Sequence, residues 1–163
     1  VIMTQGPLDH TGAQERTKGF ESVVQGYPDI EVLDTQPGDW DVAKVASLWE
    51  AYLAKYSQID AAFFHSDDMA LAAYDVMKTH GRTSILIGGI DAMPPAIDAV
   101  FGGRMFATVR NPSCLIHYGA IIAGIAAVSK EGGVVPRRIV TDGPLVTLEK
   151  AAGMRWLQDQ FLM

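Results

Sequence analysis

Cysteine is almost missing: the 163 residues include one, Cys114, so no internal disulfide can form and a disulfide-built scaffold is excluded. Basic charge is the minority, 13 Lys and Arg against 19 Asp and Glu, and no basic run exceeds two residues. That balance argues against phosphate backbones and anionic lipid, and nucleic acid is not expected as a partner. The G-x-S-x-G elbow, the G-x-x-x-x-G-K-[ST] phosphate loop and the G-x-G-x-x-G turn are all missing. His10, His65, His80 and His117 have no partner at i+4 and no cysteine pair nearby, which leaves no zinc-ligand spacing. His65 beside Ser66 lacks the third group that a nucleophile needs. Asp67-Asp68 is not where a phosphoacceptor pair would sit, because the first apolar run ends in Gln5-Gly6-Pro7. Neither an enzyme nor a cofactor is expected. The opening Val-Ile-Met-Thr-Gln-Gly has neither the charged start nor the apolar stretch of a secretory signal, and reads as a chain that begins inside a fold. The longest uncharged run, Asn111 to Ser129, contains Pro112, His117, Gly119 and Gly124, and reads as a buried soluble helix rather than a membrane span.

Hydrophobic residues make up 48% of the chain, enough for one globular domain with a sizeable core. Apolar strand-like runs at Val1–Gln5, Ile30–Thr35, Ala61–His65, Ser84–Ile90 and Phe106–Arg110 alternate with helical spacing at Ala13–Gln25, Asp41–Tyr56, Asp67–His80, Pro94–Phe101 and Ser113–Lys130. Alternation of this kind predicts an α/β fold with a parallel sheet and crossover helices. In the second helix Val42, Val45, Ala46, Trp49, Tyr52, Leu53 and Tyr56 form one wide apolar stripe, which is core. Ser66-Asp67-Asp68 suits the start of the third, a hydroxyl cap followed by two carboxylates at the positive end of the dipole. The fifth is apolar around most of its circumference, and the preceding units leave too little chain to cover it. A further strand is predicted at Arg137–Thr141, then an extended Leu145–Leu148 and an amphipathic tail with Trp156, Leu157 and Phe161.

Ligands of open parallel sheets bind beyond the carboxyl ends of the strands. The residues that follow each strand there are Gln5 to His10 with Arg16, then Asp39-Trp40-Asp41, then Ser66-Asp67-Asp68, then Asp91, then Asn111. A guanidinium fork, carboxylates, an amide and an indole are the groups that suit a polyhydroxylated ligand. Each has a structural alternative. Asp91 could cap the helix beginning at Pro94, Trp40 could pack on its own helix, and Arg16 could form a surface ion pair.

Six segments, in order, resemble the periplasmic sugar-binding proteins of ABC transporters of the ribose-binding type. They are Gly12 to Phe20 (GAQERTKGF), Asp39-Trp40-Asp41, Ile59 to Phe64 (IDAAFF), Ser66 to Leu71 (SDDMAL), Gly88-Gly89-Ile90-Asp91 and Ala107 to Asn111 (ATVRN). The closing Trp156 to Leu162 looks like the tail of some members. The resemblance spans the chain but matches only the second half of a typical member. It implies a three-layer parallel-sheet lobe of a type 1 periplasmic binding protein without the first lobe. Residues 1–110 would be the second lobe, 111–141 a segment that in relatives crosses into the first, and 142–163 a return segment and tail.

By that resemblance Arg16 would bind ring hydroxyls, Trp40 would wall the ring, Asp91 would accept hydrogen bonds, and Asn111 would act at a hinge crossing. Ser66 stands where the family usually has Asn, which puts direct contact there in doubt. Asp67 would be a helix-start acid of structural use. The implied function is capture of a monosaccharide or polyol in the periplasm, without catalysis, for an ABC permease in the membrane. The alternative is the effector-sensing domain of a LacI-like regulator. The helix Ser113–Lys130 is expected to find a substitute partner, by folding back or by forming a homodimer.

Overall fold

The computed structural model describes residues 1–129 and 135–161. Six strands form one sheet in the order β2-β1-β3-β4-β5-β6: β1 (Ile2–Gln5), β2 (Asp34–Pro37), β3 (Ala61–Phe64), β4 (Leu86–Asp91), β5 (Ala107–Arg110) and β6 (Leu145–Val146). The first five are parallel and β6 runs antiparallel to β5. The helices between and after them are α1 (Thr11–Val24), α2 (Val42–Lys55), α3 (Asp67–Thr79), α4 (Pro94–Phe101), α5 (Ser113–Val128) and α6 (Leu148–Phe161).

Phe63 and Phe64 adjoin on β3, so their side chains leave opposite faces of the sheet. Phe63 stacks on Phe20 of α1 with centroids 5.1 Å apart, while Phe64 packs against Trp49 of α2 at 5.3 Å. Helices thus cover both faces, and the lobe has three layers. Helix α3 packs beside α2, and α4 beside α6. The core lies mainly on this side, where Val45, Trp49, Phe64, Met69, Met77, Ile87 and Ile97 are fully or almost fully buried. Of the stripe on α2, Val45, Trp49 and Tyr52 are buried and Ala46, Leu53 and Tyr56 half-buried, while Val42 at the first turn is exposed rather than core. Helix starts are capped locally: Asp41 accepts from the amides of Ala43 and Lys44 at 2.8 and 3.1 Å, and Ser66 accepts from Met69 N at 3.4 Å.

Three expectations change. The second strand begins at Asp34, and Ile30 and Val32 lie exposed ahead of it, because pairing to β1 starts at the Ile2–Asp34 register. Residues Arg137–Thr141 form no strand; the antiparallel partner of β5 is the shorter Leu145–Val146, and Leu148 already opens α6. Helix α5 does not fold back: none of its residues is buried, and Leu115, Ile116, Tyr118, Ile121, Ile122, Ile125 and Val128 are exposed. Lys130, at the end of the expected helix, and the side chains of Trp156, Leu157 and Phe161 lie outside the described residues. No helix among the described residues is long and apolar enough to cross a membrane.

Candidate functional site

Every parallel strand ends at the same edge of the sheet, and the polar residues that follow them meet there. Arg16, in the second turn of α1, reaches across the ends of β1 and β3. Its Nη1 donates to the carbonyl of His65, and its Nη2 lies 3.4 Å from Asp91 Oδ1 at the end of β4. Asn111, one residue beyond β5, donates from Nδ2 to the same Asp91 oxygen at 3.3 Å and from its backbone N to Asp91 O at 3.2 Å. Arg16, Asp91 and Asn111 therefore form one cluster. The side chains of Arg16 and Asp91 are 21% and 25% exposed, which leaves donor and acceptor edges free towards solvent.

Trp40 joins this cluster through the backbone of Gly6. The loop between β2 and α2 turns through two left-handed residues, Asp39 at φ 55° and Trp40 at φ 56°. This carries the indole onto Gly6 so closely that a Cβ there would lie 2.5 Å from Trp40 Cε2. Glycine is required at that approach. Gly6 N in turn donates to His65 Nδ1 at 3.1 Å, and His10 meets the indole edge-on at 4.6 Å. Trp40 as a whole remains 37% exposed, and it is linked to the polar cluster through Gly6 and His65.

The structural alternatives for Asp91 and Trp40 are not realised, whereas Arg16 does form an ion pair, with Asp91. Asp91 does not cap α4, whose N-cap is Met93 with no side-chain bond. Trp40 packs on Gly6 and His10 rather than on its own helix, and the ion pair of Arg16 with Asp91 is half-buried at two strand ends rather than on the open surface. Ser66 is the exception: it is buried and its hydroxyl accepts from Met69 N, so it serves as a helix cap.

Burial shapes the ionisation of the site. Desolvation raises the Asp91 carboxyl above its ordinary value, while the Arg16 guanidinium and the Asn111 amide oppose that rise. His65 is fully buried, and burial, helped by the Arg16 charge, pushes it down to about 4. It is neutral at pH 7, and because Nδ1 accepts from Gly6 its proton sits on Nε2. The sequence offers His65 as a zinc ligand or a nucleophile and supports neither; its position as a spacer between Arg16 and Gly6 depends on a strand-to-strand contact that no local motif signals.

A hollow of about 310 Å³ opens at this edge, lined by Asp91 to Pro94 and Arg110 to Cys114. A larger one of about 530 Å³ lies where β4 and β5 begin, against Ile85, Leu86, Met105, Phe106, Thr147 and Leu148. That one is at the far end of the sheet, out of reach of the cluster. Among the described residues no group of acids, histidines or cysteines is arranged to hold a metal ion.

The chain is similar in sequence and fold to known proteins. A family model described as a periplasmic binding protein domain matches residues 1–131. The xylitol-binding protein of Mycolicibacterium smegmatis is 31% identical over 125 residues, which are 76% of this chain and 36% of that protein. The ribose import binding protein of Escherichia coli is 32% identical over 111 residues, 68% of this chain and 37% of its own length. Among solved structures, the periplasmic binding component of the arabinose ABC transporter from Shewanella sp. ANA-3, bound to L-arabinofuranose, superposes with a TM-score of 0.84 at 29% identity. That match covers 98% of this chain and 54% of the other. The chain therefore spans about half or less of the proteins it matches.

Proposed function

The chain belongs to the periplasmic binding protein domain family, and on that premise we propose that it is the second lobe of a receptor that captures a monosaccharide or polyol. The receptor would deliver it to an ABC permease from the periplasm, with no bond made or broken. The observation that carries this reading is the meeting of Arg16, Asp91 and Asn111 at the strand-end edge, to which the partly exposed Trp40 is linked through Gly6 and His65. Vicinal hydroxyls suit such a set: the guanidinium donates in a fork, the carboxylate accepts, the amide does both, and an indole covers the C–H face of a ring. The relatives bear the names of sugar and polyol binders, which supports the ligand class. No observation favours the effector domain of a regulator.

One lobe supplies one wall. A ligand on it stays wet on its outer face, and affinity falls well short of what an enclosed pocket gives. Titration calorimetry of this chain against pentoses, hexoses and polyols should find dissociation constants no tighter than about 1 mM. In the same solutions, NMR shifts should concentrate at the Trp40 indole, the Asn111 amide and the Arg16 guanidinium. Micromolar binding would show that a single lobe suffices. Shifts gathered at Ile85 and Phe106 instead would move the site to the other end of the sheet.

The exposed α5 adds a second expectation. Its seven large apolar side chains form a patch of the kind that marks an interaction surface. In the full family architecture the other lobe would cover it; for this chain alone we propose a second copy as the partner. Sedimentation should show mass rising with concentration, and the pair Ile121→Lys and Ile125→Lys should return the chain to monomer. A wild-type monomer at all concentrations would remove this proposal.

A further inference from the structure

The corner that presents Asp91 is strained. Asp91 has φ 122° and the next residue, Ala92, φ 53°, both in the region that side chains with a Cβ avoid. Such backbone persists where its surroundings hold it, and here the hold comes from behind the site. Asp67, the first residue of α3, is fully buried. Its Oδ2 accepts from Met93 N at 2.9 Å, and its Oδ1 accepts from Thr108 Oγ1 of β5 at 2.7 Å. Because the single hydroxyl proton of Thr108 goes to Asp67, a lone pair of Oγ1 is left for Ala92 N, 3.2 Å away. The two amides that follow Asp91 are thus both anchored, one by α3 and one by β5. Gly89 leaves room for this arrangement, since a Cβ there would run into the Asp67 carboxylate and Met105.

We propose that Asp67 is a positioning residue that pins the β4–α4 corner and so holds the Asp91 carboxylate where Arg16 and Asn111 meet it. The inference deepens the reading of Asp91 as a ligand acceptor and rests on it for its functional meaning. It also makes the corner sensitive to pH. Burial, reinforced by the negative charge of Asp91, pushes the Asp67 carboxyl up to about 7, against the hydrogen bonds from Thr108 and the Met93 and Ala92 amides. The ionisable group facing it from β4 is Asp91, itself paired with Arg16 of α1; β5 and the β4–α4 connection face it with a hydroxyl and two amides. As pH falls through about 7 a proton occupies one carboxyl oxygen, an acceptor weakens, and the corner loosens.

The test is a set of ¹H–¹⁵N and carboxyl ¹³C spectra of this chain, without sugar, from mildly acid to mildly alkaline pH. In the wild type the Met93 amide and the Asn111 side-chain amide should shift with the midpoint of the Asp67 carboxyl, near 7. In Asp67→Asn that common step should vanish from both, and amide exchange at Ala92 and Met93 should quicken about tenfold more than at Thr4. Thr108→Val should detach Ala92 in the same way if Asp67→Asn does not fold. A Met93 or Asn111 step that survives in Asp67→Asn, or exchange at the corner that changes no more than at Thr4, would overturn the proposal. Asp91→Asn, in spectra recorded also with sugar added, distinguishes the two claims: the Met93 step should remain, with its midpoint lowered by loss of the Asp91 charge, while sugar-induced shifts at Asn111 should disappear. If those sugar shifts persist, the acceptor reading fails and the pinning still stands.

Discussion

Arg16→Leu, made in a chain that carries this lobe joined to a first lobe, should weaken sugar binding by about a hundredfold or more. The guanidinium places one edge on the His65 carbonyl and the Asp91 carboxylate and keeps donors free on the other. Each charge-assisted hydrogen bond to a ligand hydroxyl contributes about 1.5–3 kcal/mol, so losing two costs at least a factor of a hundred. A second loss compounds the first. Burial already raises the Asp91 carboxyl, and Arg16 is the largest influence that opposes it; without the cation the acid protonates more readily and stops acting as a full acceptor. The deficit should therefore grow as pH falls. Arg16→Lys retains a charge but cannot donate in a fork, and should lose less, about tenfold. Calorimetric titration at two pH values reads all of these. A loss below about threefold for Arg16→Leu would reduce the residue to a structural tie between strand ends and would remove the main support for the sugar site.

The parts of the fold that were legible in the sequence are those set by local chemistry. Pro94–Phe101 has the bounds its proline start and glycine stop predict, and α2 and α3 begin where Asp41 and Ser66 can cap free amides. The ends of β1, β3, β4 and β5 were legible to within a residue because they close apolar runs, and with them Arg16, Asp91 and Asn111 came to one edge; β2 ends at Pro37, two residues beyond its expected end, and still delivers Trp40 there. The errors fall where pairing overrides pattern. Ile30 and Val32 have β-type side chains, yet β2 is Asp-Thr-Gln-Pro, an edge strand held by its ladder to β1. Residues 137–141 carry Ile and Val but form no ladder among the described residues, while Leu145 and Val146 pair with β5. The Asp67–Thr108 link joins positions 41 apart, so composition identified Asp67 only as a helix-start acid. Ser66, counted among the ligand-binding residues by resemblance, is the helix cap that its place before Asp67 also predicted.

Trp49→Ala should destabilise the lobe by about 3–5 kcal/mol, a large share of the 5–15 kcal/mol typical of a domain. Trp49 is fully buried, meets Phe64 at 5.3 Å and Tyr52 edge-on at 5.6 Å, and donates from Nε1 to Thr4 Oγ1 at 3.1 Å. Truncation leaves a cavity under the middle of the sheet and strips a partner from a buried hydroxyl. The consequence reaches the site because of what Trp49 supports: Thr4 precedes Gln5-Gly6, and Phe64 precedes His65-Ser66. Those two strand ends carry the Gly6 seat of the indole and the carbonyl that receives Arg16. Trp49→Phe keeps most of the ring volume and loses the hydrogen bond, so it should cost less, about 1–2 kcal/mol. Urea unfolding gives the two stabilities, and amide exchange at Gly6 and His65 should quicken in Trp49→Ala more than exchange at Ile97 on α4. A cost under about 2 kcal/mol for Trp49→Ala, with Gly6 and His65 as protected as before, would mean that the two strand ends are held by the sheet ladder alone and that the site does not depend on the core beneath it.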